Sequence, residues 1–169
     1  RFDKRRKNKK VSNAEWVSTS DPDSRIGKMK DGRTHLKYKA EHAVDLETQV
    51  IVAAEVYHGD VGDTQTIEDT VYAAQTHLNE AETDCEIEEV VADKGYHSND
   101  VLRDLDEMEV RSYISEPKRP GKRVWKDKEA ERRAVYGNRR RIKGRRGKAL
   151  LRKRGELLER SFAHGYGTG

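Results

Sequence analysis

The chain has only one cysteine, Cys85, among its 169 residues. A single thiol cannot form an internal disulfide, and without a second cysteine beside it a zinc knuckle is disfavoured. No apolar run approaches the roughly 20 residues that a membrane-spanning helix needs, and we see no signal peptide ahead of the fold. These absences predict a cytoplasmic protein with no membrane partner.

Apolar residues are also scarce. They make up 33% of the sequence against 39% charged residues, and the mean hydropathy is −1.08. A chain of this length corresponds to about one domain. We therefore expect one modest hydrophobic core, with long polar tracts that cannot be buried.

Charges of opposite sign are concentrated in different segments. Residues 1–10 carry seven Lys/Arg and one Asp, a net charge of +6, and residues 118–154 carry 18 Lys/Arg and three acids, a net charge of +15. Residues 11–117 carry nine Lys/Arg and 25 acids, a net charge of −16. Basic tracts of this density bind polyanions through counterion release, and nucleic acid is the expected polyanion. The alternative is that such charge runs are merely solvated or disordered.

Residues 1–35 show little hydrophobic periodicity, and we interpret them as a basic and polar linker, largely irregular. From Leu36 to Val44 apolar and polar residues alternate, which predicts a strand whose apolar side, beginning with Leu36 and Tyr38, is buried. A second apolar run at residues 49–57 follows a short polar link. The two runs therefore predict a β-hairpin.

Beyond the hairpin the pattern changes to alternating helices and strands. Apolar residues at i, i+4, i+7 and i+11 from Ile67 predict a helix that packs on the sheet. A second helix is predicted after Ser98, which suits an N-cap, and residues 110–115 read as a further strand. The order strand, strand, helix, strand, helix, strand predicts an α/β fold with parallel pairing beside one antiparallel hairpin.

Two acidic residues occupy positions where chemistry is possible. Asp93 ends the short apolar strand predicted at residues 90–92, and open α/β sheets bind ligands at the carboxyl ends of their strands. Glu159 borders the apolar side of a helix predicted at residues 148–164. Each also has a simpler interpretation, because Asp93 fits a solvated loop acid and Glu159 fits a surface glutamate paired with a neighbouring arginine.

Two motifs resemble bacterial insertion-sequence transposases of the DDE type. Ala92-Asp93-Lys94-Gly95-Tyr96 resembles the motif around that family's second Asp, and Glu159-Arg160-Ser161-Phe162-Ala163-His164 resembles the motif around its final Glu. Residues 19–30, 38–47 and 135–146 also resemble that family. The similarity therefore runs over nearly the whole chain.

The resemblance implies a ribonuclease-H-like fold, an α/β mixed sheet with flanking helices. Residues 36–169 would form a partial DDE catalytic domain with a basic insertion at about 118–146. In that fold three antiparallel strands precede the first helix, and the first of them carries the first catalytic Asp. We find only two strands there and no such Asp. We therefore expect a chain truncated on its N-terminal side that lacks its first strand and is inactive alone.

The resemblance also implies the chemistry. Asp93 and Glu159 would be the catalytic and metal-binding residues, holding Mg²⁺ or Mn²⁺ for phosphodiester cleavage and strand transfer. The implied partner is double-stranded DNA, both the transposon ends and the target, and the complete protein could act as a homodimer. The competing hypothesis is a non-catalytic basic nucleic-acid-binding module in which both acids are structural.

Basic residues in two segments are the expected phosphate contacts, which position DNA without reading its sequence. They are Lys118, Arg119, Lys122, Arg123, Arg139, Arg140, Arg141, Lys143, Arg145 and Arg146.

Overall fold

The computed structural model describes residues 17–28, 32–118 and 123–167, with side chains described for residues 17–27, 32–118 and 123–158. The fold is mixed α/β, which confirms the predicted class and is consistent with a ribonuclease-H-like arrangement. The elements in chain order are β1 (Arg25–Lys28), β2 (Thr34–Val44), β3 (Ile51–His58), α1 (Asp63–Glu80), β4 (Glu89–Ala92), α2 (Asn99–Glu107), β5 (Arg111–Ile114), α3 (Glu129–Lys143) and α4 (Arg145–Gly167).

The chain divides into two compact units. The first, residues 1–41 and 55–62, contains β1 with parts of β2 and β3, and the second, residues 42–54 and 63–169, contains the four helices and the pair β4 and β5. The first three strands form one sheet in the order β1-β2-β3, in which β1 and β2 are antiparallel with Ile26 opposite Leu36.

The expectation of only two strands before the first helix is wrong. β1 lies within the segment that the sequence pattern suggested was irregular, and three strands precede α1. A four-residue strand with one large apolar side chain, Ile26, is too short to show a period. Its antiparallel ladder to β2 instead uses backbone groups, which the side-chain pattern does not report. β1 carries no acidic residue, so it does not supply a first catalytic Asp.

The buried side of β2 also differs from the prediction. Leu36 and Tyr38 are 39% and 42% exposed, whereas Glu41 is only 6% exposed. Lys39 Nζ lies 3.3 Å from a Glu41 carboxylate oxygen, and this ion pair occupies the covered side. Alternation identifies which residues share a face of a strand, but it does not determine which face is covered.

The hydrophobic core of the second unit forms where α1, α2 and α3 pack against β4 and β5. These two strands are parallel, with Ala92 opposite Ile114. The core includes Leu102, Leu105 and Val135, each at most 1% exposed. The predicted stripe on α1 is confirmed, because Ile67 and the next two apolar residues at helical spacing are buried.

Side chains of α3 complete the outer edge of β5. Alternate residues of a strand direct their peptide groups to the same side, so Ser112 and Ile114 both face away from β4. Asn138 donates from Nδ2 to the Ile114 carbonyl at 2.8 Å and accepts the Ile114 N–H at 2.9 Å. Arg141 Nε donates to the Ser112 carbonyl at 2.9 Å. These bonds satisfy the edge and fix α3 beside it.

We predict that Asn138→Ala lowers the free energy of unfolding by roughly 2–5 kcal/mol. Asn138 is fully buried, and its removal would leave both the N–H and the C=O of Ile114 without a partner. Urea unfolding followed by circular dichroism measures the change. Asn79→Ala is the matched control, since Asn79 is exposed on α1 and its loss should change stability by less than about 0.5 kcal/mol. Equal effects of the two substitutions would contradict the bridging role of Asn138.

Candidate active site

Asp93 follows β4 directly, at the carboxyl edge of the parallel pair, as predicted. Its backbone is extended, and its Oδ1 accepts the Lys94 N–H at 2.7 Å, which caps a single 3₁₀ turn at Lys94–Tyr96. The residue is exposed. The turn therefore presents the Asp93 carboxylate to solvent, with one oxygen bound to the backbone.

A second carboxylate, which the sequence analysis missed, packs against this turn. Asp63 is the first residue of α1, and a Cβ atom added to Gly95 would overlap its Oδ2 atom. Position 95 therefore accepts only glycine while Asp63 keeps its place. A glycine two residues after the candidate acid was the available signal, but the sequence does not show what approaches it.

The segment after the turn leads directly into α2. Ser98 Oγ accepts the Val101 N–H at 2.9 Å, which confirms the predicted N-cap. His97, immediately before it, is 3% exposed. The buried His97 ends the Asp93 turn, and Ser98 begins the packed helix α2, so the turn is anchored at its far end.

Glu159 lies in α4, and its side chain is outside the described residues. The helix that carries it packs against β4. At the start of the helix, Arg146 Nη2 lies 2.7 Å from Glu89 Oε2 on β4.

Glu116 brings two of the predicted phosphate-binding arginines together. Arg139 contacts it through two nitrogens, with Nε 2.6 Å from Oε2 and Nη2 2.8 Å from Oε1. Arg123 Nη2 lies 2.5 Å from the same Oε1. The hydrogen bonds from Arg139, reinforced by the charge of Arg123, lower the pKa of the Glu116 carboxyl below its ordinary value.

Arg141, another predicted phosphate contact, instead points into the fold. Its Nε and Nη2 atoms donate to the carbonyl and the hydroxyl of Ser112. Partial burial lowers the pKa of the guanidinium. These contacts to Ser112 hold α3 on β5.

The other predicted phosphate contacts within the described residues lie on the surface. Arg140, Lys143 and Arg145 are exposed where α3 ends and α4 begins, and we name these three residues the basic corner. The corner is tight, because a Cβ atom on Gly147 would overlap the Arg141 carbonyl. Lys118 is exposed after β5, and Arg146 is 70% exposed beside Glu89. Arg119 and Lys122 lie outside the described residues.

A hard divalent cation fits the chemistry of Asp93, because carboxylate oxygens are the ligands that Mg²⁺ and Mn²⁺ prefer. Within residues 17–28, 32–118 and 123–158, no three His, Cys, Asp or Glu side chains converge on one point. Among the described side chains, Asp93 is therefore a single candidate ligand and does not belong to a three-residue cluster.

Comparison with known families identifies the chain's relationship. A family model described as the transposase DDE domain matches residues 5–164, so the chain belongs to the transposase DDE domain family. No curated protein and no solved structure matches the chain significantly. In the part of the chain that the structure describes, no helix has the length and apolar character needed to cross a membrane.

We predict that Gly95→Ala destabilises the protein by roughly 1 kcal/mol, because the added methyl group displaces only the carboxylate end of the Asp63 side chain. Asp63→Ser removes the obstacle, so the double variant should recover about 1 kcal/mol relative to the sum of the single changes. The control is Gly155→Ala in α4, where a Cβ meets nothing within 4 Å. Thermal and urea unfolding measure the cycle, and strictly additive effects would contradict the contact.

Proposed function

We propose that this chain forms part of the catalytic domain of an insertion-sequence transposase, which binds double-stranded DNA and catalyses metal-dependent strand cleavage and strand transfer. The observation that carries the proposal is the exposed carboxylate of Asp93 at the carboxyl end of β4, in a chain that belongs to the transposase DDE domain family. A cytoplasmic location and a homodimer in the complete protein remain predictions.

Asp93 and Glu159 are the proposed ligands of Mg²⁺ or Mn²⁺. Held there, such a cation would supply the means to activate an attacking water or DNA 3′-hydroxyl and to stabilise the leaving oxygen at a phosphodiester. The protein's part is to hold Asp93 in place, through the bond from Lys94 and the packing of Asp63 on Gly95. A carboxylate fixed in advance needs little reorganisation when the ligand arrives.

The lengths of α4 and β4 support the proposal that Asp93 and Glu159 lie close together. The contact between Arg146 and Glu89 joins the start of α4 to the start of β4. Glu159 lies about 20 Å further along the helix axis at 1.5 Å per residue, and Asp93 lies about 13 Å further along the strand. The lengths differ by about 7 Å, which helix tilt and the reach of two side chains can cover if α4 runs along β4.

The proposed site is incomplete in this chain. The three strands before α1 contain no Asp, and their only acids are Glu41, which is paired with Lys39, and Glu55. Since the resemblance to DDE transposases implies three carboxylates around the metal ions and these strands supply no Asp, we propose that the chain alone does not cleave DNA.

The basic corner is the proposed contact with DNA phosphates. Its three cations lie on consecutive helix ends, and the packing of Gly147 against Arg141 keeps those ends together. Lysine and arginine contacts to phosphate give affinity that is independent of base sequence. The proposed role of the corner is therefore to position DNA.

If Asp93 and Glu159 bind the same cation, Mn²⁺ should broaden NMR signals at two distant parts of the sequence. We expect Mn²⁺ to broaden the amide signals of Lys94 and Gly95 together with those around Glu159, because broadening is strongest next to the bound ion. Asp93→Asn should abolish both effects, whereas the control Asp127→Asn should keep them. Asparagine suits the left-handed backbone at that position (φ 54°), so this control preserves the fold. Broadening at neither place would favour the non-catalytic nucleic-acid-binding module.

The DNA contact predicts a strong salt dependence. Replacing Arg140, Lys143 and Arg145 by glutamine should reduce the slope of log affinity against log salt by about 2–3, since each phosphate contact contributes about 0.9. Arg103→Gln is the control, because Arg103 lies among the acids Asp100 and Asp104 and should leave the slope unchanged. Anisotropy of a labelled duplex measures binding, and a flat salt response of the unmodified chain would refute the proposed contact.

A further inference from the structure

Glu116 lies within a closed ring of side chains that joins the segment after β5 to α3. Glu116 binds Arg123 and Arg139 as described above, and each arginine also lies over an aromatic ring. The Arg123 guanidinium is 5.5 Å from the Trp125 ring centre, and that of Arg139 is 5.0 Å from the Tyr136 ring centre. The centres of the Trp125 and Tyr136 side-chain rings are 6.2 Å apart, and this contact closes the ring of side chains around Glu116.

The ring is connected to the segment that carries Asp93. Arg123 Nη1 donates to Asn99 Oδ1 at 2.5 Å. Asn99 is the first residue of α2 and follows Ser98, the N-cap that comes one residue after the end of the Asp93 turn. A single guanidinium thus links the start of α2, the segment after β5 and, through Glu116, helix α3.

The charge of the ring does not cancel. Two guanidinium groups share one carboxylate, which leaves a net charge of +1. The three side chains retain 17%, 21% and 29% of their accessible surface for Arg123, Glu116 and Arg139 respectively. They are therefore partly buried and held in place, yet still reachable by an anion from solvent. An arginine fixed by a carboxylate and an aromatic face loses little side-chain entropy when it binds phosphate.

We propose that Glu116 is a positioning residue for DNA binding, which holds Arg123 and Arg139 in the orientation that receives a backbone phosphate. This inference rests on the proposed function, because it assigns how part of the DNA contact is organised. Without Glu116 the two guanidinium groups repel each other and lose their common anchor. Their orientation is then lost although the surface has become more positive.

The sign of the change in affinity distinguishes positioning from simple charge. Glu116→Gln adds one positive charge to the surface, so charge alone would tighten binding to DNA. Positioning instead predicts roughly fivefold to tenfold weaker binding, with a salt slope that falls by about 1–2 as one or two phosphate contacts are lost. The measurement is fluorescence anisotropy of a labelled DNA duplex of mixed sequence with the full chain.

Glu129→Gln is the matched control. It makes the same charge change in the first turn of α3, where Glu129 is exposed and outside the ring. We expect it to leave DNA affinity unchanged or to increase it. Circular dichroism and the melting temperature verify that each variant is folded.

A variant that conserves charge tests the inference independently of how Glu116→Gln folds. Replacing Arg123 and Arg139 by lysine keeps both charges but removes the bidentate geometry, so binding should again weaken by roughly fivefold or more. Unchanged or tighter binding by folded Glu116→Gln, or by the lysine variant if Glu116→Gln does not fold, would overturn the positioning role alone. Failure of the unmodified chain to bind DNA would refute the proposed function together with this inference.

Discussion

The hydrogen bonds from α3 to the outer edge of β5 are the constraint on which the second unit depends. A sheet of two short strands is marginal in water unless another element packs on it. Asn138 replaces the missing neighbour strand for Ile114, and Arg141 does so for Ser112. These bonds fix the rotation of α3 about its axis. They therefore also determine the direction in which Tyr136, the arginines of α3 and the basic corner face.

The two acids that follow the parallel strands show how neighbouring residues determine whether a carboxylate is exposed or paired. Asp93 follows β4, is exposed, and receives one backbone hydrogen bond. Glu116 follows β5 and receives three short contacts from two arginines. Parallel pairing brings both to the same edge of the sheet. The carboxylate of Asp93 therefore faces solvent, whereas that of Glu116 is already neutralised by the protein.

Local patterns predicted what depends on local physics. The stripe on α1 and the Ser98 cap follow from periodicity and capping within a few residues of chain, and Asp93 at the end of β4 follows from the short apolar run before it. Features that join distant residues were not predictable. The fit of Asp63 against Gly95 links positions 32 residues apart, and Asn138 reaches Ile114 across 24.

The strands showed both kinds of failure. β1 is stabilised by its ladder to β2, so its four residues have no pattern of their own to detect. In β2 the alternation was correct, but the covered side contains Glu41 with Lys39 rather than Leu36 and Tyr38. A pair of opposite charges allows a polar face of a strand to be buried. Whether it is buried depends on the residues that surround the strand.

In the part of the chain that the structure describes, β4 and β5 form a two-stranded sheet and side chains of α3 occupy the far side of β5, so a further strand could not pair with β5 without displacing them. A strand that paired with β4 instead would lie beside the strand that ends at Asp93. Its residues level with Ala92 would then become immediate neighbours of that carboxylate. The side chains of α3 thus make the two edges of this sheet unequal, and the edge formed by β4 is the one next to Asp93.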